Sequence, residues 1–322
     1  MANRRFNWFL MLRLAGIVLF IIVLSRTDLG ELWAWMKHVG RTYLLLAILF
    51  QVFLLVAKAL RWYILNEKGF DPVRMRRRSG EFLEGYAMGV ITPGRVGELM
   101  KAGHAGSRPG ILRAGLRVVA ERGMDLSIYF VIAGIAMIYS VLPGIGPAWG
   151  WLILATGAAG MILSLLILLS PALVRQAEKL MKLIRVLKKD VSLDFQHRSL
   201  LNASGFFFLS LISNLSYFVC CYFLAAGVGM EMPVVNIAGG VATAGVLNTI
   251  PVTVMGLGTR EVTFIYIFHD FPLAQVMAFS GLVFLVAQIG GGVISLLAGQ
   301  ALLFKFKVQS SKIKKISTTN DQ

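Results

Sequence analysis

Long hydrophobic runs recur along this 322-residue chain, separated by short connections rich in Arg, Lys, Gly and Pro. A run of about 20 apolar residues is long enough to cross the hydrocarbon core of a bilayer as a helix. Two apolar segments, 80–106 and 234–269, are interrupted by Pro and Gly. The other runs predict full spans over residues 8–24, 43–60, 125–142, 149–169, 203–228 and 273–304. This pattern predicts an all-α polytopic membrane protein with six spans and two interrupted segments.

The two interrupted segments have similar ingredients. In each, Pro and Gly are followed by an Arg and a Glu: Arg95 and Glu98 in the first, Arg260 and Glu261 in the second. Lipid offers no hydrogen-bond partners to a broken backbone ladder, so such a break is tolerated only inside protein or along a water-lined cavity. Interrupted segments in corresponding places of two halves are typical of a transport site.

The basic residues predict the orientation of the spans. We expect Arg74–Arg78, the basic amphipathic helix 171–198 and the tail 305–322 on the cytoplasmic side, with both termini inside. The uncharged turn 143–147 and the acidic turn 229–233 are expected outside. Each interrupted segment then has to enter and leave by one face, which predicts two re-entrant helical hairpins.

The chain is therefore expected to contain two repeats, residues 1–142 and 149–304. Each has the order span, span, re-entrant hairpin and span, so each crosses the membrane an odd number of times. The second repeat is then inverted relative to the first, as in many transporters. This arrangement predicts that the two hairpins approach one site from opposite faces.

The second limb of each hairpin is expected to begin a helix near mid-membrane, with Thr259 as the N-cap of the later one. A helix N-terminus with an Arg beside it forms an anion site suited to phosphate, and the neighbouring carboxylate can receive an ammonium group. The alternative is that the Arg–Glu pairs only lock the hairpins and the glycines serve turn geometry. The candidate substrate-binding residues are Pro93, Gly94, Arg95, Gly97, Glu98, Asn248, Pro251, Gly256, Gly258, Thr259, Arg260 and Glu261.

Composition narrows the function further. The formal charge of +16 could suggest nucleic acid, but the chain is 57% hydrophobic and its basic residues lie mainly between the spans. No nucleic-acid partner is therefore expected. Cys220 and Cys221 are adjacent in an apolar run, where packing is their simplest role. Since no metal-ligand spacing, Ser/His/Asp set or phosphate loop is visible, we expect no metal, no cofactor and no enzymatic activity.

At residues 91–98 (ITPGRVGE) and 250–261 (IPVTVMGLGTRE), the chain resembles the lysylphosphatidylglycerol synthase transmembrane, or flippase-like, family. The resemblance extends over nearly the whole chain in length and span layout, and the GLGxRE ending is its more specific motif. It implies a lipid-translocating membrane unit with two re-entrant hairpins. In bifunctional members a soluble aminoacyl-transferring domain follows. Here the chain ends shortly after the last span, so synthase activity is not expected.

These features together predict a lipid transporter or flippase of the bacterial inner (cytoplasmic) membrane. Its substrate would be a membrane phospholipid with an anionic or zwitterionic headgroup, whose phosphate is held at the re-entrant helix N-termini. The alternative is an accessory or enzymatic membrane protein of hopanoid or polyprenyl-linked sugar metabolism, to which the resemblance also extends. A third class is a structural or regulatory membrane partner, for which both arginines would be dispensable. Homo-oligomers are compatible with all three.

Overall fold

A computed structural model describes residues 18–67, 69–104, 108–139, 146–170, 172, 175–176, 179, 200–249 and 256–304. Every regular element within these residues is helical. In chain order they are α1 (18–25), α2 (Leu29–Lys37), α3 (Arg41–Asn66), α4 (Pro72–Ile91), a 3₁₀ turn (Pro93–Leu99), α5 (Met100–Gly103), α6 (Arg108–Ile138), α7 (Pro147–Leu169), α8 (Leu200–Gly227), α9 (Val234–Leu247), α10 (Thr259–Ile267) and α11 (Leu273–Phe304).

Within the described residues, four helices, α3, α7, α8 and α11, are long and apolar enough to cross a membrane by length and composition. The protein is thus an all-helical, multi-pass membrane protein, as predicted. Helix α1 covers the end of the expected first span, whose beginning lies outside the described residues. The full set of six spans, the re-entrant hairpins and the inverted repeat stay predictions. The four spans correspond to the sequence predictions 43–60, 149–169, 203–228 and 273–304.

An Asp side chain caps the start of two helices, α2 and α4. Asp28 Oδ1 accepts hydrogen bonds from the first backbone N–H groups of α2, at 2.7 Å from Gly30. Asp71 Oδ1 does the same for α4, at 2.9 Å from Val73 N. The basic run Arg74–Arg78 therefore lies in the first turns of α4. An Asp immediately before a helix is a common N-cap, since its side chain satisfies N–H groups that have no intrahelical partner.

Helix α6 runs unbroken from Arg108 to Ile138. One helix therefore contains both the residues before position 125 and the described part of the predicted span 125–142. The charged residues at the expected boundary, Glu121 and Asp125, are buried and paired with α3, so they do not end the helix. The expected span ends at 142, beyond the last described residue of that segment.

Small residues bring α6 and α7 into close contact. A Cβ added at Gly134 would lie 2.6 Å from Leu154 N, and one added at Gly157 would lie 2.8 Å from Val131 N. Such distances mean that the two backbones approach directly, as is common where helices associate in membranes. The outer side of α7 leaves large apolar side chains exposed, among them Trp151. This side of the protein is suited to lipid contact.

Two apolar cores support the functional elements. The larger joins α6, α8, α9, α10 and the first half of α11, with stacked rings at Phe264 and Phe279. The smaller lies between α3, α4 and α6, around Trp62 and Phe82. The expected cytoplasmic helix 171–198 has few described residues, and the tail 305–322 lies outside them.

Candidate functional site

In the first interrupted segment, the chain that follows α4 folds back against that helix. Thr92 ends the helix in an extended conformation, and its Oγ1 accepts a hydrogen bond of 2.7 Å from Gly97 N. A Cβ on Gly97 would lie 2.3 Å from Met88 O, and one on Gly89 would lie 2.4 Å from Glu98 Cγ. At Gly97 the contact is with backbone, so glycine is required there for the returning chain to lie against α4, and a larger residue at Gly89 would displace the Glu98 side chain. Pro93 and Gly94, both predicted site residues, contribute to the backbone of this turn.

The returning limb is not the regular α-helix that the sequence suggested. Residues Pro93–Leu99 form a 3₁₀ turn, and α5 after it has four residues. Thr92 already accepts the N–H of Gly97 through its side chain and that of Arg95 through its carbonyl. These two N–H groups are therefore paired within the turn, and a ligand here would depend more on side chains.

Arg95 has the one positive φ of a non-glycine residue in the described part of the chain, +56°. Non-glycine residues rarely adopt this conformation, which costs roughly 1–3 kcal/mol and persists where the surroundings hold it. Its Nη2 donates to Gln288 Oε1 at 3.1 Å, and its guanidinium lies 5.5 Å from the centroid of the Tyr86 ring. The predicted partner Glu98 is more distant, at 3.7 Å. The backbone thus aims Arg95 toward α11.

Arg95 and Glu98 belong to a larger set of ion pairs, here called the charged network. Arg61 is at its centre, donating to Asp125 Oδ1 at 2.5 Å and to Glu121 Oε1 at 2.8 Å. Lys58 donates to Asp125 Oδ2 at 2.6 Å, and Lys101 donates to Glu121. The network comprises Lys58, Arg61, Arg95, Glu98, Lys101, Glu121, Arg122 and Asp125.

Helix α8 contributes neutral partners to this network. Ser210 Oγ accepts a hydrogen bond of 2.9 Å from Arg61 Nη1, and Asn214 Nδ2 donates to Asp125 Oδ1 at 3.0 Å. Lys101 Nζ lies 4.8 Å from the centroid of the Trp62 ring. Buried charges are tolerated when paired and fully hydrogen-bonded, so these contacts stabilise the ions inside the protein. They also join α3, α5, α6 and α8.

The charged network has five cationic and three acidic side chains, a formal excess of two positive charges. Arg95 and Arg122 are its accessible members, with side chains 31% and 33% exposed. The other six are at most 9% exposed. Both arginines converge on the same carboxylate oxygen, Glu98 Oε1, which is itself buried. The accessible part of the network is therefore cationic.

The second interrupted segment uses glycines to turn. Gly256 and Gly258 have φ of +76° and +88°, which glycine adopts without the steric cost that a Cβ brings. Gly258, not Thr259, is the N-cap of α10, so the predicted cap is wrong by one residue. The Thr259 hydroxyl instead donates to Asn248 Oδ1 at 2.6 Å, which connects α10 to the end of α9. Pro251 lies outside the described residues.

Glu261 occupies the N-terminus of α10 itself. Its Oε2 accepts a hydrogen bond of 2.6 Å from Gly258 N, and its Oε1 accepts one of 2.8 Å from Ser280 Oγ. A carboxylate in the first turn is favourable because it satisfies a free N–H and interacts with the helix dipole. Since this carboxylate already lies at the helix end, it competes with any anion there.

Arg260 is held in the same buried group. Its Nε donates to Ser280 Oγ at 2.9 Å and its Nη2 to Glu261 Oε1 at 2.5 Å, while its guanidinium lies 5.3 Å from the centroid of the Phe284 ring. Its side chain is 5% exposed. Nη1 has no hydrogen-bond partner among the residues that the structure describes. This arrangement favours the structural alternative for the Arg260–Glu261 pair.

Arg95 and Arg260 both contact residues of α11. Arg260 contacts Ser280 and Phe284, and Arg95 contacts Gln288. Tyr217 of α8 lies within electrostatic range of both guanidiniums. The described contacts do not include a direct one between the two arginines. The structure therefore brings the predicted segments to one helix but leaves their arginines in different surroundings.

The sequence interpretation missed most of the charged network. A signal was present, because Lys58 and Arg61 are spaced i,i+3 and Glu121 and Asp125 are spaced i,i+4, so each pair lies on one helix face. Among the described residues, no group of His, Cys, Asp and Glu side chains is placed to hold a metal ion.

The helices, their apolar surfaces and the buried ion pairs define a polytopic helical membrane protein with an internal charged site. A comparison with protein families assigns it more narrowly. The chain belongs to the family described as the lysylphosphatidylglycerol synthase TM region, whose model matches residues 9–295. This confirms the resemblance drawn from the two motifs. No curated protein matches the chain.

Proposed function

We propose that this protein is a lipid transporter or flippase that moves a phospholipid across the cytoplasmic membrane, with the headgroup phosphate bound by Arg95 and Arg122. Family membership supports a role related to membrane lipids. The observation that carries the proposal is the excess of positive charge in the charged network together with the exposure of these two arginines. Two uncompensated charges within a membrane protein are costly, and an anionic ligand would offset that cost.

The lengths of the broken helices support re-entrant hairpins. The apolar part of α4, from Gly80 to Ile91, rises about 18 Å, and α9 with its 14 residues rises about 21 Å. Both are shorter than the roughly 30 Å of hydrocarbon that a span has to cross. A chain that enters this far and turns back ends near mid-membrane. Arg95, which lies in the turn after α4, would then meet a headgroup on its way across.

The phosphate is proposed to bind to arginine side chains rather than to helix N-termini. Guanidinium groups bind phosphate through paired N–H donors, and they stay charged inside proteins.

Both termini, the start of α4 and the 171–198 segment are proposed to face the cytoplasm. This orientation follows from the bias of Lys and Arg in the connections.

The test is transport by the purified protein in liposomes that contain a fluorescent phospholipid. A membrane-impermeant quencher reports how much lipid moves between leaflets. We expect faster movement than in empty liposomes and about a tenfold loss in Arg95→Gln, since a hydrogen bond to a charged group is worth about that factor. Arg41→Gln, which removes an exposed arginine at the start of α3, is the matched control. Movement that equals empty liposomes in the native protein would refute the proposal.

A further inference from the structure

We infer that two glutamines, Gln288 and Gln51, are positioning residues for Arg95. Gln288 accepts a hydrogen bond from the Arg95 guanidinium, and Gln51 donates to the backbone of the residue just before Gln288. This inference rests on the proposed function, in which Arg95 binds the phosphate of the lipid. Neither glutamine is among the candidate site residues that the sequence indicated, because the role of each depends on helix packing.

The Arg95 side chain has little support from its own segment. Its Nη1 lies 3.7 Å from Glu98 Oε1, beyond hydrogen-bond distance, and its side chain is 31% exposed. Within the described residues, the hydrogen bond of its guanidinium is the one to Gln288 Oε1, at 3.1 Å. A mobile arginine loses rotamer entropy when it binds a ligand, and this loss is smaller when the side chain is already held. Gln288 therefore preorganises Arg95 for a ligand.

An amide is well suited to this role because it is neutral. A guanidinium has five N–H donors in a planar fork, and Gln288 Oε1 accepts from Nη2 alone. A carboxylate at the same position would offset the positive charge of Arg95 and compete with a phosphate for it. With Gln288 as its partner, Arg95 is held in place and keeps both its charge and further N–H donors.

Gln288 lies in the π-helical section of α11, Val283–Gly290. Such sections are rare and are frequently found at functional sites. Their i→i+5 hydrogen bonds place more residues in each turn than an α-helix does, so a return to α geometry would rotate Gln288 about the helix axis. The direction of Gln288, and with it that of Arg95, therefore depends on the π-helical section.

Gln51 of α3 is bound to the same section. Its Nε2 donates a hydrogen bond of 3.2 Å to the carbonyl oxygen of Ala287, directly before Gln288. Gln51 is 1% exposed, and its Oε1 has no hydrogen-bond partner among the described residues. A buried amide with one unpaired atom costs free energy, so stability alone does not account for this residue. Its bond to Ala287 holds the π-helical section against α3.

A glycine in α11 makes the approach of Gln51 possible. A Cβ on Gly291 would lie 2.3 Å from Gln51 Nε2, so a larger residue there would displace the amide from Ala287. The next residue, Gly292, differs, because a Cβ on it would meet Val90 at 3.4 Å, an ordinary van der Waals distance. Gly291→Ala therefore breaks the contact of Gln51 without removing a polar group, and Gly292→Ala is its matched control.

The first test measures the movement of an acyl-labelled phospholipid in proteoliposomes. Gln288→Met keeps the length of the side chain but removes the acceptor, and we expect about a tenfold loss, comparable with that of Arg95→Gln. If Gln288 acts through Arg95, the double variant is no slower than Arg95→Gln alone. Losses that multiply in the double variant would contradict the inference.

Gln51→Met and Gly291→Ala test the indirect step, since neither changes Arg95 or Gln288. We expect a loss of about threefold in each, as for a neutral hydrogen bond, and no further loss when either is combined with Arg95→Gln. Gly292→Ala should move lipid at the native rate. Melting temperatures of the same preparations separate a lost rate from lost folding, and Gly291→Ala decides the question if Gln51→Met is unstable.

Phosphate binding in detergent provides a readout that a purely structural role would not change. Inorganic phosphate should raise the melting temperature of the native protein above that in chloride at equal ionic strength, and Gln288→Met should need about tenfold more phosphate for the same rise. Equal phosphate responses, or equal lipid movement, in the native protein and both glutamine variants would overturn the inference and leave the proposed function intact. No lipid movement by the native protein would refute the proposed function and the inference with it.

Discussion

Arg95 donates a hydrogen bond of 3.1 Å to Gln288, a residue 193 positions later in the chain. Arg260 contacts Ser280 on the same helix, and Phe284 lies between the two contact points in sequence. These α11 positions follow one another at intervals of four, so they lie on or near one face. Part of this stretch, Val283–Gly290, is a π-helix. Both interrupted segments are thus supported by one helix, in a section that departs from regular α geometry.

We predict that Arg260 and Arg95 have separable roles. Arg260→Ala leaves Glu261 buried without its cationic partner, which should destabilise the protein by about 3–5 kcal/mol. Arg95→Gln, at a more exposed position, should reduce lipid movement with little loss of stability. Thermal unfolding and proteoliposome transport, measured on the same preparations, distinguish the two. Unchanged stability with an equal, non-additive loss of transport in both variants and in the double variant would instead indicate one ligand shared by the two arginines.

Arg61, at the centre of the charged network, should be the charged residue whose substitution destabilises the protein most. Arg61→Leu removes the partner of both Glu121 and Asp125, and we expect a loss of about 3–5 kcal/mol. Arg61→Lys retains the charge but cannot donate to both carboxylates through a planar fork, so it should be intermediate. Thermal unfolding in detergent measures this series, with the exposed Arg41→Leu as control. If Arg61→Leu has the same melting temperature as the native protein, the network is not important for stability.

The fold-back after α4 should depend on Gly97. A methyl group there would lie 2.3 Å from Met88 O, a backbone atom that cannot move independently of the helix. Gly97→Ala should therefore cost about 1–3 kcal/mol and displace the Arg95 turn. Gly103→Ala is the matched control, because a Cβ on Gly103 meets no atom within 4 Å. Comparing yield, melting temperature and transport for both variants tests the prediction, and similar behaviour of the two would contradict the close approach.

Membrane orientation can be tested with single cysteines at exposed positions. Arg74→Cys, in the first turn of α4, should react with an impermeant thiol reagent only from the cytoplasmic side. Glu231→Cys, in the connection between α8 and α9, should react only from outside. The native Cys220 and Cys221 are fully buried and should contribute little background. Labelling of both introduced cysteines from the same side would invalidate the predicted orientation.

The sequence by itself determined the class of the protein and the places where its helices break. Runs of apolar residues long enough to span a bilayer have few alternatives, and the combination of Pro251, Gly256 and Gly258 within one such run predicts a break in its helix. The pairing of Arg260 with Glu261 was also evident, because the two are adjacent in the chain. Local constraints of this kind are contained in any short stretch of residues.

Only the tertiary structure decided which charges meet. The local sequence around Lys58 and Arg61 does not distinguish side chains that extend to a membrane interface from side chains that pair with α6. Their partners lie 60 or more positions away. Glu98 was expected to pair with Arg95, yet Arg122 of α6 contacts the same carboxylate oxygen. Long-range ion pairs depend on how helices pack, and packing is a property of the assembled helices rather than of any one segment. The excess positive charge at Arg95 and Arg122 therefore becomes visible only in the folded chain.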